Sequence, residues 1–186
     1  MNNNKSIQKI DFTKANLLGG KVFDIMNPFF KDNHNLTGIS IGQCHFDSLE
    51  SHFLALAIRS CTHKSLQTVI LQDNNIADEG MVDIITALSM HPNLVYLDLE
   101  ANRLGYNSCV ALATLLQSSV TELQRLDLSH NQINNEGIEA LLPALTNCNH
   151  FKGLTLGNNP SITTRGWKSL ATVLRSPFSN LEVLLE

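Results

Sequence analysis

Apolar residues recur along the chain in a short pattern that returns every 28 to 30 residues. The clearest copies read LQTVILQDNNI, LVYLDLEANRL and LQRLDLSHNQI, with apolar residues at the first, fourth, sixth and eleventh positions and Asn at the ninth. A period of this length predicts a repeat architecture. The copies begin at Ile7, Leu36, Leu66, Leu94, Leu123, Phe151 and Leu181, which gives intervals of 29, 30, 28, 29, 28 and 30 residues.

Two different periodicities alternate within each repeat. The fourth and sixth positions, such as Leu97 and Leu99, alternate like a strand with one buried face. Further along each repeat, residues three and four apart predict one buried face of a helix. These sets are Val22, Ile25 and Phe29; Ser51, Leu54 and Ile58; Met81, Ile84 and Leu88; Cys109, Leu112 and Leu116; Ile138, Leu141 and Leu145; and Trp167, Leu170 and Leu174.

One strand and one helix cannot bury their apolar faces alone, whereas stacked copies share a continuous core. Parallel strands approach to about 4.8 Å and packed helices to roughly 8–10 Å, so the stack should curve with the strands on its inner wall. The sequence therefore predicts an α/β solenoid shaped as an arc, with concave strands and convex helices. We expect six full repeats and a final strand in one domain over residues 7–186, after an N-terminal tail of residues 1–6.

A Gly-containing turn precedes several of the predicted helices. Asp78-Glu79-Gly80 and Asn135-Glu136-Gly137 show it most clearly, and Arg165-Gly166 is a weaker match. With the LxxLxLxxNxL pattern, nearly the whole chain resembles the ribonuclease-inhibitor class of leucine-rich repeats. The resemblance implies a fold more than a function, because the class includes cytosolic inhibitors, innate-immune sensor domains and activators of small GTPases.

The ninth position carries Asn in four of the copies. These amides fall where the chain leaves the strand, and each can satisfy backbone groups of adjacent turns. We predict a structural ladder of Asn74, Asn102, Asn131 and Asn159, with Cys44 and Ala15 in the same place in the second and first copies.

Composition and local motifs exclude several classes of function. A net charge of −4 argues against nucleic acid, which usually selects a basic surface. The chain has no apolar run of about 18 residues and no apolar leader, so we expect a cytoplasmic protein without membrane contact. It also lacks a phosphate-binding loop, a zinc-protease motif and a convincing nucleophile, so we expect no catalysis and no cofactor.

Two Cys-x-His pairs were considered as metal ligands. Cys61 and His63 occupy the same repeat position as Cys148 and His150. Those copies are three repeats apart, which places the pairs about 14 Å or more from each other. Ligands of one zinc ion lie about 2 Å from it, so the sequence predicts no zinc site.

The third, fifth, seventh and eighth positions should point onto the concave surface. In the middle repeats an acidic cluster surrounds an aromatic and an aliphatic side chain, with Arg and His beside it. This could be a binding hot spot for a protein with a basic patch, or the carboxylates could only keep the strands soluble. The candidate partner-binding residues are Ile70, Asp73, Tyr96, Asp98, Glu100, Arg125, Asp127 and His130.

Two other functions stay open on the sequence alone. Relatives that resemble this array include stimulators of GTP hydrolysis by small GTPases, and such an activity would use rim loops in which no motif is evident. The array could also be a structural segment of a larger sensor protein.

The last residues begin a seventh strand at Leu181 and stop before its turn. Solenoid ends need polar caps for solubility, and none is visible around Leu184. We therefore expect either a fragment of a longer array or an edge covered by a partner or a second copy of the chain.

Overall fold

Strands and helices alternate through the computed structural model, which describes residues 7–17, 21–118, 120–175 and 181–184. The predicted tail of residues 1–6 lies outside the described residues. The strands are Lys9–Asp11 (β1), Gly38–Ser40 (β2), Thr68–Ile70 (β3), Tyr96–Asp98 (β4), Arg125–Asp127 (β5), Gly153–Thr155 (β6) and Glu182–Leu184 (β7). The helices are Lys21–Asp32 (α1), Ser48–Arg59 (α2), Asp78–Leu88 (α3), Tyr106–Gln117 (α4), Asn135–Asn147 (α5) and Thr164–Leu174 (α6).

The seven described strands form one parallel sheet in the order β1 to β7. Fourth-position residues align across it: Val69 pairs with Leu97, Leu97 with Leu126, and Leu126 with Leu154. All four side chains are buried, so this side of the sheet faces the core. The opposite side is called the concave face below. This arrangement confirms the predicted α/β leucine-rich repeat solenoid.

Four helices bury the residues that the periodicity predicts. Met81, Ile84 and Leu88 of α3 are fully buried. Ser51, the weakest member of the predicted sets, is fully buried as well. A small residue is required there because Gly80 of the next repeat packs against it, and a Cβ added at Gly80 would lie 2.6 Å from the Ser51 Cβ.

Two helices differ from the prediction: α1 turns a different face to the core, whereas α6 buries the predicted Leu170 and differs at Leu174. In α1, Met26 and Phe30 are fully buried, whereas Ile25 and Phe29 are only half-buried. The side chain of Val22 lies outside the described residues. In α6, Val173 is buried and the predicted Leu174 is exposed. A shift of one residue turns a helical side chain by about 100°, so these predictions were wrong by one position.

The predicted start of the seventh copy at Leu181 is also wrong by one residue. β7 begins 29 residues after β6, and Val183 pairs with Leu154 in the inward row. Leu184 pairs with Thr155 and is exposed on the concave face. Because side chains alternate along a strand, a one-residue slip exchanges the inward residue for the outward one.

The predicted Asn ladder is confirmed by its hydrogen bonds. The Asn131 Oδ1 accepts from the Leu104 backbone N–H at 3.0 Å, while its Nδ2 donates to the Leu99 and Leu128 carbonyls at 3.0 and 3.1 Å. Each amide thus joins the turns of neighbouring repeats. In the second copy the Cys44 thiol replaces part of this network by donating to the Phe12 carbonyl at 3.2 Å.

Asp78 caps a helix of the next repeat. The N-cap residue of α4 is Gly105, which has no side chain to satisfy the first N–H groups. The Asp78 Oδ1 accepts from Gly105 N at 2.7 Å, Ser108 N at 3.2 Å and Ser108 Oγ at 2.6 Å, and its Oδ2 accepts from Asn107 N at 3.1 Å. The acidic turn residue recognised in the sequence therefore connects the third repeat to the fourth.

Candidate protein-binding surface

The sheet register brings five of the predicted residues into two adjoining rows on the concave face. Ile70 pairs with Asp98, and Asp98 with Asp127, across β3, β4 and β5. Two residues nearer the N-terminal ends of these strands, Tyr96 pairs with Arg125. Neighbouring strands lie about 4.8 Å apart, so these side chains form one continuous surface.

The remaining three predicted residues lie beyond the strand ends. Asp73 and His130 occupy the eighth position of their copies, where the backbone is left-handed, with φ of 53° and 55°. Glu100 follows β4, and its Oε1 lies 3.9 Å from the His130 Nε2. No sequence signal predicted the left-handed backbone at the eighth position, because none of the residues at that position is Gly. These residues are Lys14, Gln43, Asp73, Ala101, His130 and Asn158.

Asp98 is far less accessible than its strand position suggests, with only 7% of its surface exposed. Its Oδ1 accepts from the Glu100 backbone N–H at 3.1 Å, and the Tyr96 hydroxyl donates to its Oδ2 at 3.2 Å. Asp127 makes the same type of turn, because its Oδ1 accepts from Ser129 N at 2.9 Å. Both Asp side chains therefore stabilise the chain where it leaves the strand.

The seventh position is also more buried than predicted. Ser129 is buried and donates its hydroxyl to Asp127 at 2.5 Å. Gly42 and Gly157, at the same position in other repeats, are buried too. The seventh position was expected on the exposed concave surface, and that expectation was wrong for these repeats.

Negative charge accumulates around Tyr96. Burial, together with the nearby Asp127, raises the pKa of Asp98. Burial also raises the pKa of Glu100, assisted by Asp127 and Asp98 and opposed by His130. The pKa of Tyr96 is raised by burial and by the same carboxylates, so its hydroxyl stays a hydrogen-bond donor. An incoming cation would relieve this repulsion.

A small groove lies beside the acidic cluster. Its volume is about 180 Å³, with Tyr96 and Arg125 on one side and Glu182 and Leu184 on the other. Gly153 forms part of its floor, where an added Cβ would meet only the Arg125 Cγ at 3.5 Å. The sequence prediction missed this groove because it treated Leu184 as part of an uncapped apolar edge and not as a residue of the concave face.

Other kinds of site find little support in the described part of the chain. The described residues contain no group of three or more His, Cys, Asp or Glu side chains that could hold a metal ion. None of the described helices is long and apolar enough to cross a bilayer.

Comparison with known proteins identifies the repeat. A family model described as Leucine Rich repeat matches residues 62–84 and 121–142. The chain is 29% identical over 181 residues to mouse (Mus musculus) "NACHT, LRR and PYD domains-containing protein 5", covering 96% of this chain and 15% of that protein. It is 32% identical over 121 residues to human (Homo sapiens) "NACHT, LRR and PYD domains-containing protein 14", covering 61% of this chain and 10% of that protein.

A solved structure supports the same fold. The tropomodulin C-terminal domain of Caenorhabditis elegans superposes with a TM-score of 0.52 at 9% identity, over 92% of this chain and 84% of that one.

The chain spans less than a fifth of the length of the sequence relatives described above, so their whole-protein activities do not transfer to it. The repeat period, the parallel sheet and the family match together show that the chain is a leucine-rich repeat protein.

Proposed function

We propose that this array is a protein-interaction module whose concave face binds a partner carrying a basic patch. The half-exposed carboxylate of Glu100 and the partly exposed Asp127 receive a Lys or Arg side chain, and Tyr96 supplies the aromatic contact. An apolar side chain of the partner enters the groove between Tyr96 and Leu184. Repeat arrays of this kind offer their strand face as an extended binding surface.

The observation that best supports the proposal is that Tyr96, an amphipathic aromatic side chain, lies between an acidic cluster and a groove. Tyr96 touches both, since its hydroxyl donates to Asp98 and its ring lines the groove. Binding hot spots are enriched in Tyr and lie near polar groups that exclude water. Electrostatic complementarity would then select a basic partner and speed its association.

Glu100 is the best position for a test, because its carboxylate is half-exposed, whereas the Asp98 and Asp127 carboxylates stabilise the turns. We would capture partners from native cytosol with the parent chain, with Glu100→Lys and with Glu122→Lys. The last variant makes the same change of charge at an exposed residue outside the concave face. Circular dichroism would verify that all three chains are folded.

We expect a partner that the parent and Glu122→Lys retain and that Glu100→Lys loses. For that partner, Tyr96→Ala should weaken binding by about 2 kcal/mol, as truncation of a hot-spot residue does. Affinity should also fall with added salt, because surface charges are screened within about 10 Å at 0.1 M. Equal capture by all three chains would refute the role of this face.

The other predictions from the sequence remain untested. No structural feature of the described residues singles out a GTPase-binding loop, and a GTP turnover assay over a panel of small GTPases would separate that function from simple binding. A purely structural segment would capture no partner. The single domain over residues 7–186, the cytoplasmic location, the absence of a cofactor and self-association through the C-terminal edge stay predictions as well.

A further inference from the structure

Helix α4 has an unusual outer face. Of the six described helices it alone contains no charged residue, and the uncharged sequence extends from Leu104 to Thr121. Surface helices usually carry charged residues on the side that faces water. Here the exposed positions of the helix are Tyr106, Asn107, Val110, Thr114 and Gln117.

A groove of about 760 Å³ runs between α4 and its neighbour α3 on the convex side of the array. Val82, Val110 and Ala111 give it an apolar surface, and Glu79 and Asp83 of α3 line it as well. None of the described residues that line this groove is Lys or Arg. It thus combines apolar walls with negative charge along one side.

The groove on the other side of α4 differs in its charge balance. It has a volume of about 510 Å³ and is lined by Tyr106, Glu136 and Glu139. Arg165 of the next repeat already contacts both carboxylates, with its Nη2 2.8 Å from Glu139 Oε2 and its Nη1 3.2 Å from Glu136 Oε1. On the α3 side, the Asp83 Oδ2 lies 2.9 Å from the His52 Nδ1, whereas Glu79 makes no ion pair with the described residues, so a basic partner is favoured there mainly through Glu79.

We propose that the α3–α4 groove docks an amphipathic helix of a partner protein, with its apolar stripe on Val110 and its Lys or Arg side chains against Glu79 and Asp83. Apolar anchors spaced along a helix fit a groove between two helices. A neutral or acidic helix would bury the Glu79 carboxylate without a cation beside it, which is costly. This inference is independent of the concave face, because none of its residues belongs to the sheet.

A designed peptide is a suitable probe because the natural partner is unidentified. The peptide would have about 18 residues, five helical turns, with Leu on one stripe and Lys on both flanks. A second peptide would carry Glu in place of every Lys. Fluorescence anisotropy would measure the binding of both peptides to the full chain.

Two variants of the chain provide a matched pair. Val110→Lys places a cation in the groove, and Leu174→Lys places one on α6. The two parent residues are apolar and about equally exposed, at 40% and 41%. Lys favours helix, so neither change should unfold its helix, and circular dichroism checks this point.

We expect the Lys peptide to bind the parent and Leu174→Lys equally, and Val110→Lys roughly tenfold or more weakly, the loss typical of a hot-spot residue. The Glu peptide should not bind. Amide hydrogen exchange should show protection in α3 and α4. Binding that is equal in both variants, protection confined to the concave face, or no binding of the Lys peptide would overturn the proposal. A dimer of the parent that Val110→Lys dissociates would also overturn it, since a second copy would then be the occupant.

Discussion

Removal of the Asp78 carboxylate should weaken the junction between the third and fourth repeats. The side chain accepts four hydrogen bonds at the start of α4, at 2.6 to 3.2 Å, and α4 has no cap of its own. Loss of an ordinary N-cap costs about 0.5–2 kcal/mol, and hydrogen bonds to charged groups contribute roughly 1.5–3 kcal/mol each. Water can replace the carboxylate at the exposed Asn107. We therefore expect Asp78→Ala to cost about 2–4 kcal/mol in total.

The natural control is Asp47→Ala. Asp47 caps its own helix α2, where it accepts from Leu49 N at 2.8 Å and also interacts with Glu50, and its removal should cost about 1 kcal/mol. Urea denaturation followed by circular dichroism at pH 7 would give both free energies of unfolding. Because repeats contact only their neighbours, Asp78→Ala should also broaden the transition as the array divides into two parts.

The pH dependence of stability gives a second test of Asp78. Burial raises the pKa of its carboxyl, but the hydrogen bonds from Ser108 and Gly105 outweigh that effect, and the folded pKa lies below its ordinary value of 3.8. The unfolded state therefore binds the proton first. The stabilisation is fully present above pH 3.8 and is lost as the pH falls through the folded pKa. Asp78→Asn should lack this part of the acid sensitivity.

Two results would refute this reasoning about Asp78. One is a loss for Asp78→Ala no larger than that for Asp47→Ala. The other is full additivity with Ser108→Ala in a double-mutant cycle, since residues that share a hydrogen bond should show a coupling energy of about 0.5–3 kcal/mol.

Three further changes test other parts of the repeat. Asn131→Ala leaves buried backbone groups without partners and should cost about 3 kcal/mol in urea denaturation; a loss below about 1 kcal/mol would remove the ladder's structural role. Gly166→Ala places a Cβ 2.6 Å from the Asn135 Oδ1 and should lower thermal stability by about 1–3 kcal/mol, and an unchanged melting temperature would contradict this. Ala101→Asn should raise stability by about 0.5 kcal/mol, because Asn tolerates the left-handed backbone at φ 52° better than Ala; destabilisation would show that the side chain is constrained by its neighbours.

The repeat, the order of strands and helices, and the Asn ladder were predictable from the sequence, because each depends on a pattern that recurs in most copies. The errors in which helical residues are buried have one physical origin. Where two apolar residues are adjacent, as at Ile25 and Met26 or Val173 and Leu174, both phases of the helix look apolar. Only packing against the neighbouring repeat determines which of the two residues is buried. The apolar pattern of a single copy contains no information about that packing.

The candidate surface was predictable only as a set of positions. The register correctly placed Tyr96 beside Arg125 and Asp98 beside Asp127. The burial of Asp98 depends on the direction of the Tyr96 hydroxyl and on a turn three residues long, neither of which has a sequence signature. The cap from Asp78 to α4 was also unpredictable, because it joins two repeats through residues about thirty positions apart.

Side-chain length divides the carboxylates of this array into two roles. Asp11, Asp47, Asp98 and Asp127 each accept a hydrogen bond from the backbone N–H two residues ahead, a distance that a short Asp side chain spans and that defines an Asx turn. Their charge is partly satisfied within the fold. Glu79 is exposed and Glu100 is half-exposed, and a longer Glu side chain is less suited to that turn. The negative charge available to a partner is therefore carried mainly by Glu on both faces of the array. Charge reversal at Glu100 or Glu79 should change binding with little loss of stability, whereas reversal at Asp98 or Asp127 would disturb the fold and could not isolate binding.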